Sequence, residues 1–340
     1  MDMIPKDSCR VAVIGAGSWG TAFANHLALQ GISTVLMTRR NKQVEALHKS
    51  HRNPDYLSFI ELAQDLQYDS YLTADMQHFQ LIALAIPSKS YSEVLSRIVS
   101  RLPAKVGILI LSKGMEPESN MRLSQVVGKA FACINPSVAV LSGPNQAEEI
   151  ALGQPTAAVI ASNDKDYACF LQQLLTGDSF RTYVNSDMLG IELAAALKNV
   201  IALATGMSDG LGYGDNARAA LVTRGLAEMT RLGVAMGANT QTFFGLAGLG
   251  DLVCTCTSRH SRNRMAGDLI AQGYAPSEVE DKMGMIAEGL MSAPIILKIA
   301  KEISVDLPIT ENVVAVLCEG KDVQDCVRDL MNRELKGEIN

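Results

Sequence analysis

The feature that most constrains the fold is a short β-branched run followed by three glycines at fixed spacing. Residues 10–14 (Arg-Val-Ala-Val-Ile) precede Gly15, Gly17 and Gly20, and small and apolar residues at helical spacing come next. This order predicts a strand, a tight turn and a helix start, the arrangement that binds the pyrophosphate of a dinucleotide. Gly15 would form the turn, Gly17 would let the phosphates approach, and Gly20 would let the helix pack closely on the strand.

The surroundings of this glycine motif favour a dinucleotide site over the alternative, a plain glycine-rich turn. Three glycines at this spacing occur by chance in roughly one chain in six of this composition, so the motif alone is weak. A second apolar run at residues 33–37 lies at the distance expected of a strand–helix–strand unit. Gly31 is placed to end the helix between the two runs.

The residues after this second run indicate which dinucleotide binds. A site for NADH usually carries Asp or Glu here to hold the ribose 2′-hydroxyl, whereas this chain has Thr38-Arg39-Arg40-Asn41. Two guanidinium groups suit a 2′-phosphate through charge and bidentate hydrogen bonds. The sequence therefore favours NADPH, with NADH as the second cofactor. The alternative is an ordinary solvated basic turn.

Composition excludes several classes of protein. With 340 residues, of which 48% are hydrophobic and 19% charged, the chain is long enough for two domains. Its net charge of −6 argues against general nucleic-acid binding. Seven scattered cysteines show neither a disulfide framework nor zinc-ligand spacing, so we expect a reducing compartment and no metal. Without a signal peptide or a run long enough to span a membrane, we expect a soluble, cytoplasmic protein.

Short apolar runs alternate with helical patterns as far as residue 184, which predicts an α/β fold with a doubly wound, Rossmann-type sheet. The further runs lie at residues 81–86, 106–111, 138–141, 157–160 and 181–184. The more polar residues 43–75 predict two short helices. Ser88, Lys113 and Gly143 follow three of the predicted strands, at the sheet edge where ligands bind in such folds.

The chain changes character at Asp187, a residue type that caps helices. Beyond it, apolar residues recur at helical spacing and no strand pattern remains, so we predict an all-helical C-terminal domain. The predicted dinucleotide-binding domain covers residues 1–186 and the predicted substrate domain residues 187–340. The apolar helical half also leads us to expect a homodimer.

A polar pair, Lys198 and Asn199, interrupts an otherwise apolar helix pattern in this half. Burying an ammonium group costs several kcal/mol unless it is compensated. Burial beside other cations lowers the pKa of a lysine towards the range of an acid–base catalyst. Lys198 is therefore our candidate catalytic residue, and the alternative is that it lies on a solvated face.

Three further stretches stand out against the apolar background. Residues 206–214 and 245–251 are rich in glycine, as flexible connections are. Ser261, Arg262 and Asn263 precede a helical pattern and together offer hydroxyl, guanidinium, amide and helix-end N–H groups. Such a set suits a phosphate group, and the alternative is an exposed basic turn with a helix cap.

Taken in order, these motifs resemble the NAD(P)-dependent glycerol-3-phosphate dehydrogenases of the bacterial type along nearly the whole chain. The matching stretches are Gly15-Ala-Gly-Ser-Trp-Gly-Thr-Ala22, Ser112-Lys-Gly114, Leu141-Ser-Gly-Pro144, Leu197-Lys-Asn-Val200, Gly206-Met-Ser-Asp-Gly210, Gly245-Leu-Ala-Gly-Leu-Gly-Asp251 and Ser261-Arg-Asn-Arg264. The resemblance implies an oxidoreductase that interconverts dihydroxyacetone phosphate and sn-glycerol 3-phosphate by hydride transfer with NAD(P)H. This reaction would supply glycerophospholipid synthesis.

The resemblance also implies roles for individual residues. Lys198 would be the general acid–base, and Asp251 would orient a lysine or a substrate hydroxyl. The residues at substrate-contacting positions are Lys113, Gly143, Lys198, Asp251, Ser261, Arg262 and Asn263. The residues at cofactor positions, besides the glycines, are Ser18, Trp19, Arg39, Lys113, Ala147, Arg262, Ile286 and Glu288, with Arg40 as a weaker candidate.

One position departs from the family pattern. After Gly143 and Pro144 the family usually has Ser or Thr and then an aromatic residue, whereas this chain has Asn145 and Gln146. Because an asparagine side chain can still donate a hydrogen bond, Asn145 remains a candidate substrate contact.

Two other functions fit the same architecture. An NADPH-dependent 2-oxoacid or ketopantoate-type reductase would need a carboxylate pocket where this chain has the phosphate-binding pattern at Ser261, Arg262 and Asn263. A non-catalytic dinucleotide sensor would have no use for a desolvated lysine such as Lys198.

Overall fold

The computed structural model describes residues 9–335 and 337. Residues 1–8, 336 and 338–340, with which the two predicted domains begin and end, lie outside the described residues. The described chain forms an α/β half followed by a helical half, as the sequence predicts.

The strands all belong to the first half. In the described chain they are β1 (Arg10–Ile14), β2 (Ser33–Thr38), β3 (Gln67–Ser70), β4 (Leu81–Leu84), β5 (Gly107–Ile110), β6 (Met115–Glu116), β7 (Met121–Arg122), β8 (Ser137–Ser142), β9 (Thr156–Ser162) and β10 (Phe180–Asn185). Eight of them form one sheet in the order β10-β9-β8-β5-β4-β1-β2-β3, and β6 pairs with β7. Neighbours in the large sheet run parallel except for β8 and β9. The doubly wound sheet is therefore confirmed.

Helices cover the sheet and then build the second half. The helices of the first half are α1 (Ser18–Leu29), α2 (Asn41–Ser50), α3 (Tyr91–Ile98), α4 (Leu123–Ala130), α5 (Ala147–Ala151) and α6 (Lys165–Leu175). Those of the second half are α7 (Met188–Gly210), α8 (Asp215–Ala235), α9 (Thr240–Phe243), α10 (Asp251–Thr257), α11 (Arg262–Ala271), α12 (Pro276–Met283), α13 (Glu288–Glu302), α14 (Pro308–Glu319) and α15 (Val323–Met331). A single π-helical turn, Leu246–Gly250, precedes α10.

The two faces of the sheet bury separate cores, which β1 illustrates. Val11 and Val13 pack with α1 and α6, whereas Ala12 and Ile14 pack with α3 and α4. Successive side chains of a strand point to opposite faces, and both faces are covered by helices. The strand is therefore apolar at every one of these positions rather than at alternate ones.

The expectation for residues 43–75 is half wrong. They contain most of one helix, α2, and then the strand β3 instead of a second helix. In β3 exposed and buried residues alternate, and its backbone pairs with β2 from Val35 to Thr38. A four-residue edge strand with one face in solvent has too few apolar residues to be recognised by its periodicity.

Helix α7 forms the centre of the second half. Asp187 caps it, as predicted, by accepting a hydrogen bond from the Gly190 amide at 2.8 Å. In the part of the chain that the structure describes, α7 alone is long and apolar enough to span a membrane, and 83% of its most apolar window is buried inside the fold. Its apolar character therefore matches a core helix.

The predicted connection at residues 206–214 is mostly wrong, because α7 continues to Gly210. A Cβ on Gly206 would lie 2.0 Å from the Arg264 carbonyl oxygen in α11, and a Cβ on Gly267 would lie 2.1 Å from the Leu203 oxygen in α7. The glycines here allow two helices to touch backbone to backbone rather than allowing a flexible loop.

Candidate active site

The glycine motif forms the predicted turn at the carboxyl end of β1. Gly15 has a φ of +113°, and its amide donates to the Met37 oxygen at 2.8 Å. A Cβ on Gly20 would lie 1.8 Å from the Gly15 oxygen, whereas a Cβ on Gly17 would meet nothing within 4 Å. The open space at Gly17 and the N-terminus of α1, which no side chain caps, fit the pyrophosphate of a dinucleotide.

The residues around this turn lie at the same sheet edge. Ser18 and Trp19 begin α1, and the Trp19 indole donates from Nε1 to the Leu111 oxygen at 3.2 Å. This hydrogen bond holds the ring across the end of β5. Ala147 begins α5 and is buried in the core that contains α1.

A cavity of about 540 Å³ opens at the end of β2, where the sequence predicts the ribose 2′ position of the cofactor. Arg39 and Arg40 both line it. Arg40 donates to the Asp55 carboxylate at 2.7 Å. Arg39 is exposed and makes no hydrogen bond or ion pair with any other residue that the structure describes. The two arginines therefore share the cavity but differ in their partners.

Two lysines from different halves of the molecule share one carboxylate. Lys198 is 5% exposed, which makes the solvated-face alternative wrong, and its Nζ donates to Asp251 Oδ1 at 2.9 Å and to Thr255 Oγ1 at 2.7 Å. Lys113 donates to Asp251 Oδ2 at 2.8 Å. Asp251, the first residue of α10, is 2% exposed and bridges the two ammonium groups.

The two ammonium groups differ in how many of their protons are used. Lys113 has three acceptors, since it also donates to the Gly143 oxygen at 3.0 Å and to Asn145 Oδ1 at 2.6 Å. Lys198 has two acceptors. An ammonium group carries three protons. Among the described residues, one N–H of Lys198 therefore has no acceptor, whereas each N–H of Lys113 has one.

Burial and charge act in opposite directions on this cluster. Burial, opposed by the attraction of Asp251 and reinforced by the charge of Lys198, lowers the pKa of Lys113 to about 8. Burial by itself would raise the pKa of Asp251, but the two ammonium groups hold that pKa below its ordinary value. The carboxylate is therefore ionised whenever the lysines are charged.

Asn145, at the position that departs from the family pattern, faces the same cluster. Its Oδ1 accepts from Lys113, which fixes the orientation of the amide because an ammonium group can only donate. Its Nδ2 is buried and has no partner among the described residues. An unpaired buried donor at this point fits an oxygen of a ligand. The neighbouring Gln146 instead donates to Cys254 Sγ at 3.7 Å.

The predicted phosphate-binding residues lie at the N-terminus of α11. Ser261 caps this helix by accepting from the Arg264 amide at 3.3 Å. Arg262, the first helical residue, is exposed. Asn263 donates from Nδ2 to Asn199 Oδ1 at 2.9 Å, next to Lys198 in α7. The close contact of α7 with α11 thus places Asn263 against the residue that follows Lys198.

Of the remaining cofactor candidates, Glu288 joins the two halves. Glu288, the first residue of α13, accepts hydrogen bonds from the Ser88 amide at 3.0 Å and the Ser88 hydroxyl at 2.5 Å. Burial raises the pKa of Glu288, against the effect of these hydrogen bonds. Ile286 lies two residues before Glu288 and is partly buried. The Glu288 carboxylate is thus hydrogen-bonded to Ser88, which follows β4.

Two residues of this site, Thr255 and Asp55, were not predicted from the sequence. Thr255 lies four residues after Asp251, a helical spacing that places both oxygens beside Lys198. Ser88 follows β4 at the ligand edge of the sheet, as the sequence predicts, and only its contact with Glu288 was not predicted. Asp55 carries no recognisable signal, since it stands in the polar segment between α2 and β3.

Comparisons with known proteins agree along nearly the whole chain. The family models described as the N-terminus and the C-terminus of NAD-dependent glycerol-3-phosphate dehydrogenase match residues 10–168 and 187–328. A glycerol-3-phosphate dehydrogenase (NAD(P)+) of Shouchella clausii is 42% identical over 332 residues, which cover 97% of this chain and 98% of that relative. The crystal structure of a glycerol-3-phosphate dehydrogenase from Coxiella burnetii matches with a TM-score of 0.91 and 38% identity, over 96% of this chain and 99% of that chain.

Enzymes of the alternative kind are much less similar. The structure of a D-mandelate dehydrogenase with NADH and anilino(oxo)acetate matches with a TM-score of 0.61 at 13% identity, over 94% of this chain and 99% of that chain. At this identity the likeness concerns the fold alone. The chain therefore belongs to the bacterial NAD(P)-dependent glycerol-3-phosphate dehydrogenase family.

Proposed function

We propose that this protein interconverts dihydroxyacetone phosphate and sn-glycerol 3-phosphate by hydride transfer with NADPH, or with NADH. The observation that carries the proposal is the proton left over on Lys198. Lys113 donates all three of its protons within the protein, whereas Lys198 donates two. A buried ammonium with one unused N–H is what a ketone oxygen requires when a hydride reaches the adjacent carbon.

In the reduction, Lys198 would donate this proton from Nζ to the carbonyl oxygen. Asp251 and Thr255 hold the amine in place, so the proton is directed away from them. The charge of Lys113 would stabilise the developing alkoxide in a site with little water. In the oxidation, Lys198 would accept the proton of the same hydroxyl group.

The phosphate of the substrate would bind at the N-terminus of α11. Arg262 and the free N–H groups of the first helical turn attract a dianion, and Ser261 and Asn263 lie beside them. Binding energy from this phosphate would position the ketone at the lysines. The unpaired Nδ2 of Asn145, together with Gly143, makes a further substrate contact at the same cluster.

The cofactor supplies the hydride. Gly15, Gly17 and Gly20 would hold its pyrophosphate at the start of α1, and Arg39 would bind a ribose 2′-phosphate. The remaining residues that we propose as cofactor contacts are Ser18, Trp19, Arg40, Lys113, Ala147, Arg262, Ile286 and Glu288.

The test is an assay of the purified protein with dihydroxyacetone phosphate and NADPH, followed by the loss of NADPH absorbance. Lys198→Ala should lower kcat by about 100- to 10,000-fold, because it removes the general acid. Lys129→Ala, which removes an exposed lysine of α4, is the matched control and should retain full activity. Full activity of folded Lys198→Ala would remove Lys198 from the mechanism.

A substrate panel separates the alternatives. A 2-oxoacid or ketopantoate-type reductase would turn over a carboxylate substrate and leave dihydroxyacetone phosphate unchanged. A dinucleotide sensor would bind NADPH and turn over neither. The phosphate-binding pattern at α11 and the buried Lys198 favour the dehydrogenase over both.

We also propose a soluble, cytoplasmic protein that supplies glycerol 3-phosphate for glycerophospholipids. The burial of α7 and the family membership support this proposal. The homodimer stays a prediction, and light scattering of the purified protein tests it.

A further inference from the structure

The cavity at the end of β2 contains a carboxylate that the local sequence does not provide. Sites for NADH usually carry an acidic residue at the end of this strand, and this chain has arginines there. The fold nevertheless brings Asp55 into the cavity lining, 15 residues after Arg40. Asp55 Oδ2 lies 2.7 Å from Arg40 Nη2, and both side chains are about half exposed.

The loop that carries Asp55 is anchored to the dinucleotide turn. Asn53, which is fully buried, donates from Nδ2 to the Ala16 oxygen at 3.0 Å and to Thr21 Oγ1 at 2.8 Å. Its Oδ1 accepts from Gln43 in α2 at 3.2 Å. Asp55, two residues further on, is therefore held beside the cofactor site by contacts that do not depend on its own charge.

The lining of the cavity carries more positive than negative charge, so the Asp55 carboxylate affects how strongly the cavity attracts an anion. Arg39, Arg40 and Lys42 line the cavity with positive charge, and Asp55 is the acidic residue of that lining. Asp55 thus offsets one of the positive charges that would attract a ribose 2′-phosphate. Because the pair is exposed, its ion pair is weak enough to exchange for another anion.

We propose that Asp55 sets the balance between NADPH and NADH by competing with the 2′-phosphate for Arg40. When the ribose carries a 2′-hydroxyl, Arg40 stays paired with Asp55, and the dinucleotide binds without a contact to Arg40. With a 2′-phosphate, Arg40 leaves Asp55, and the freed carboxylate repels the phosphate. Both effects weaken NADPH relative to NADH, so that one site accepts either cofactor. The proposal rests on the proposed function only for the identity of the ligand.

The test measures dissociation constants of NADPH and NADH by titration calorimetry, without dihydroxyacetone phosphate. In Asp55→Asn the ratio of Kd for NADH to Kd for NADPH should rise on the order of fivefold, as expected when one charge near a phosphate is removed in water. The increase should shrink at high salt, which screens exposed charges. Asp55→Ser should act in the same direction.

Two comparisons make the result specific. Glu61→Gln removes a neighbouring exposed carboxylate that pairs with Arg52 at 3.3 Å but does not line the cavity, and it should leave the ratio unchanged. In an Arg40→Ala background, Asp55→Asn should change the ratio less than in the wild type. An unchanged or lowered ratio in Asp55→Asn, or an equal increase in Glu61→Gln, would overturn the proposal.

The comparison of dinucleotide binding between the wild type and the Asp55 variants does not depend on the proposed catalytic activity. A wild-type protein that binds NADPH but does not reduce dihydroxyacetone phosphate would overturn the proposed function and leave the Asp55 comparison intact. A wild-type protein that binds neither dinucleotide would overturn both.

Discussion

Asn199, the residue after Lys198 in α7, accepts a hydrogen bond at 2.9 Å from Asn263, the second residue of α11. Asn263 Oδ1 in turn accepts from the Gly289 amide in α13 at 2.8 Å. The side chain expected to bind phosphate therefore also joins three helices beside the lysine cluster. One N–H of its amide remains for a ligand.

Asn263→Ala should raise KM for dihydroxyacetone phosphate more than it lowers kcat. The variant leaves the Gly289 amide and Asn199 Oδ1 unpaired in a buried region, which costs about 1–3 kcal/mol. If this whole cost falls on substrate binding, KM rises roughly 5- to 150-fold. Steady-state kinetics with varied substrate measure both constants. Asn332→Ala, at an exposed position, is the control. An unchanged KM would contradict the positioning role of Asn263.

The rate of ketone reduction should fall as the pH rises through about 8, the value to which burial and the Lys198 charge lower the pKa of Lys113. Above that pH the Lys113 ammonium loses its proton, and with it the positive charge that would stabilise the alkoxide. A profile of kcat/KM against pH measures this effect. In Lys113→Arg, whose guanidinium stays protonated, the fall should move to higher pH even if the overall rate is lower. A fall near pH 8 that persists in this variant would argue against Lys113 as its source.

Gly206→Ala should destabilise the protein by about 1–3 kcal/mol, because overpacking forces closely packed elements apart. The added Cβ would lie 2.0 Å from the Arg264 oxygen and push α11 away from α7. KM for dihydroxyacetone phosphate should rise as well, since the N-terminus of α11 moves. Urea unfolding measures the stability.

Gly128→Ala is the matched control for that substitution. Gly128 lies inside helix α4, and a Cβ there would meet nothing within 4 Å. The change should stabilise the protein by about 0.4–1 kcal/mol, because alanine loses less backbone freedom on folding. Equal stability of both variants would show that the α7–α11 contact tolerates a side chain.

Prediction from the sequence succeeded where neighbouring residues carry the signal. The strand before Gly15 and the N-cap at Asp187 each depend on a few residues in a row, and both are confirmed. Prediction from the sequence failed at β3 and at Gly206 for the same reason, because each depends on a segment that is distant along the chain. An edge strand is defined by its partner, and a helical glycine by the helix that packs on it.

The sequence by itself determined the α/β order, the dinucleotide turn, the helical second half and the family, because periodicity, glycine spacing and motif order lie along the chain. Only the tertiary structure decided how charges pair. It brought Asp251 to Lys113 and Lys198, which are 138 and 53 residues away. It left one N–H of Lys198 without an acceptor among the described residues, and it paired Asp55 with Arg40. Such pairings depend on the packing of distant segments, so no local pattern encodes them.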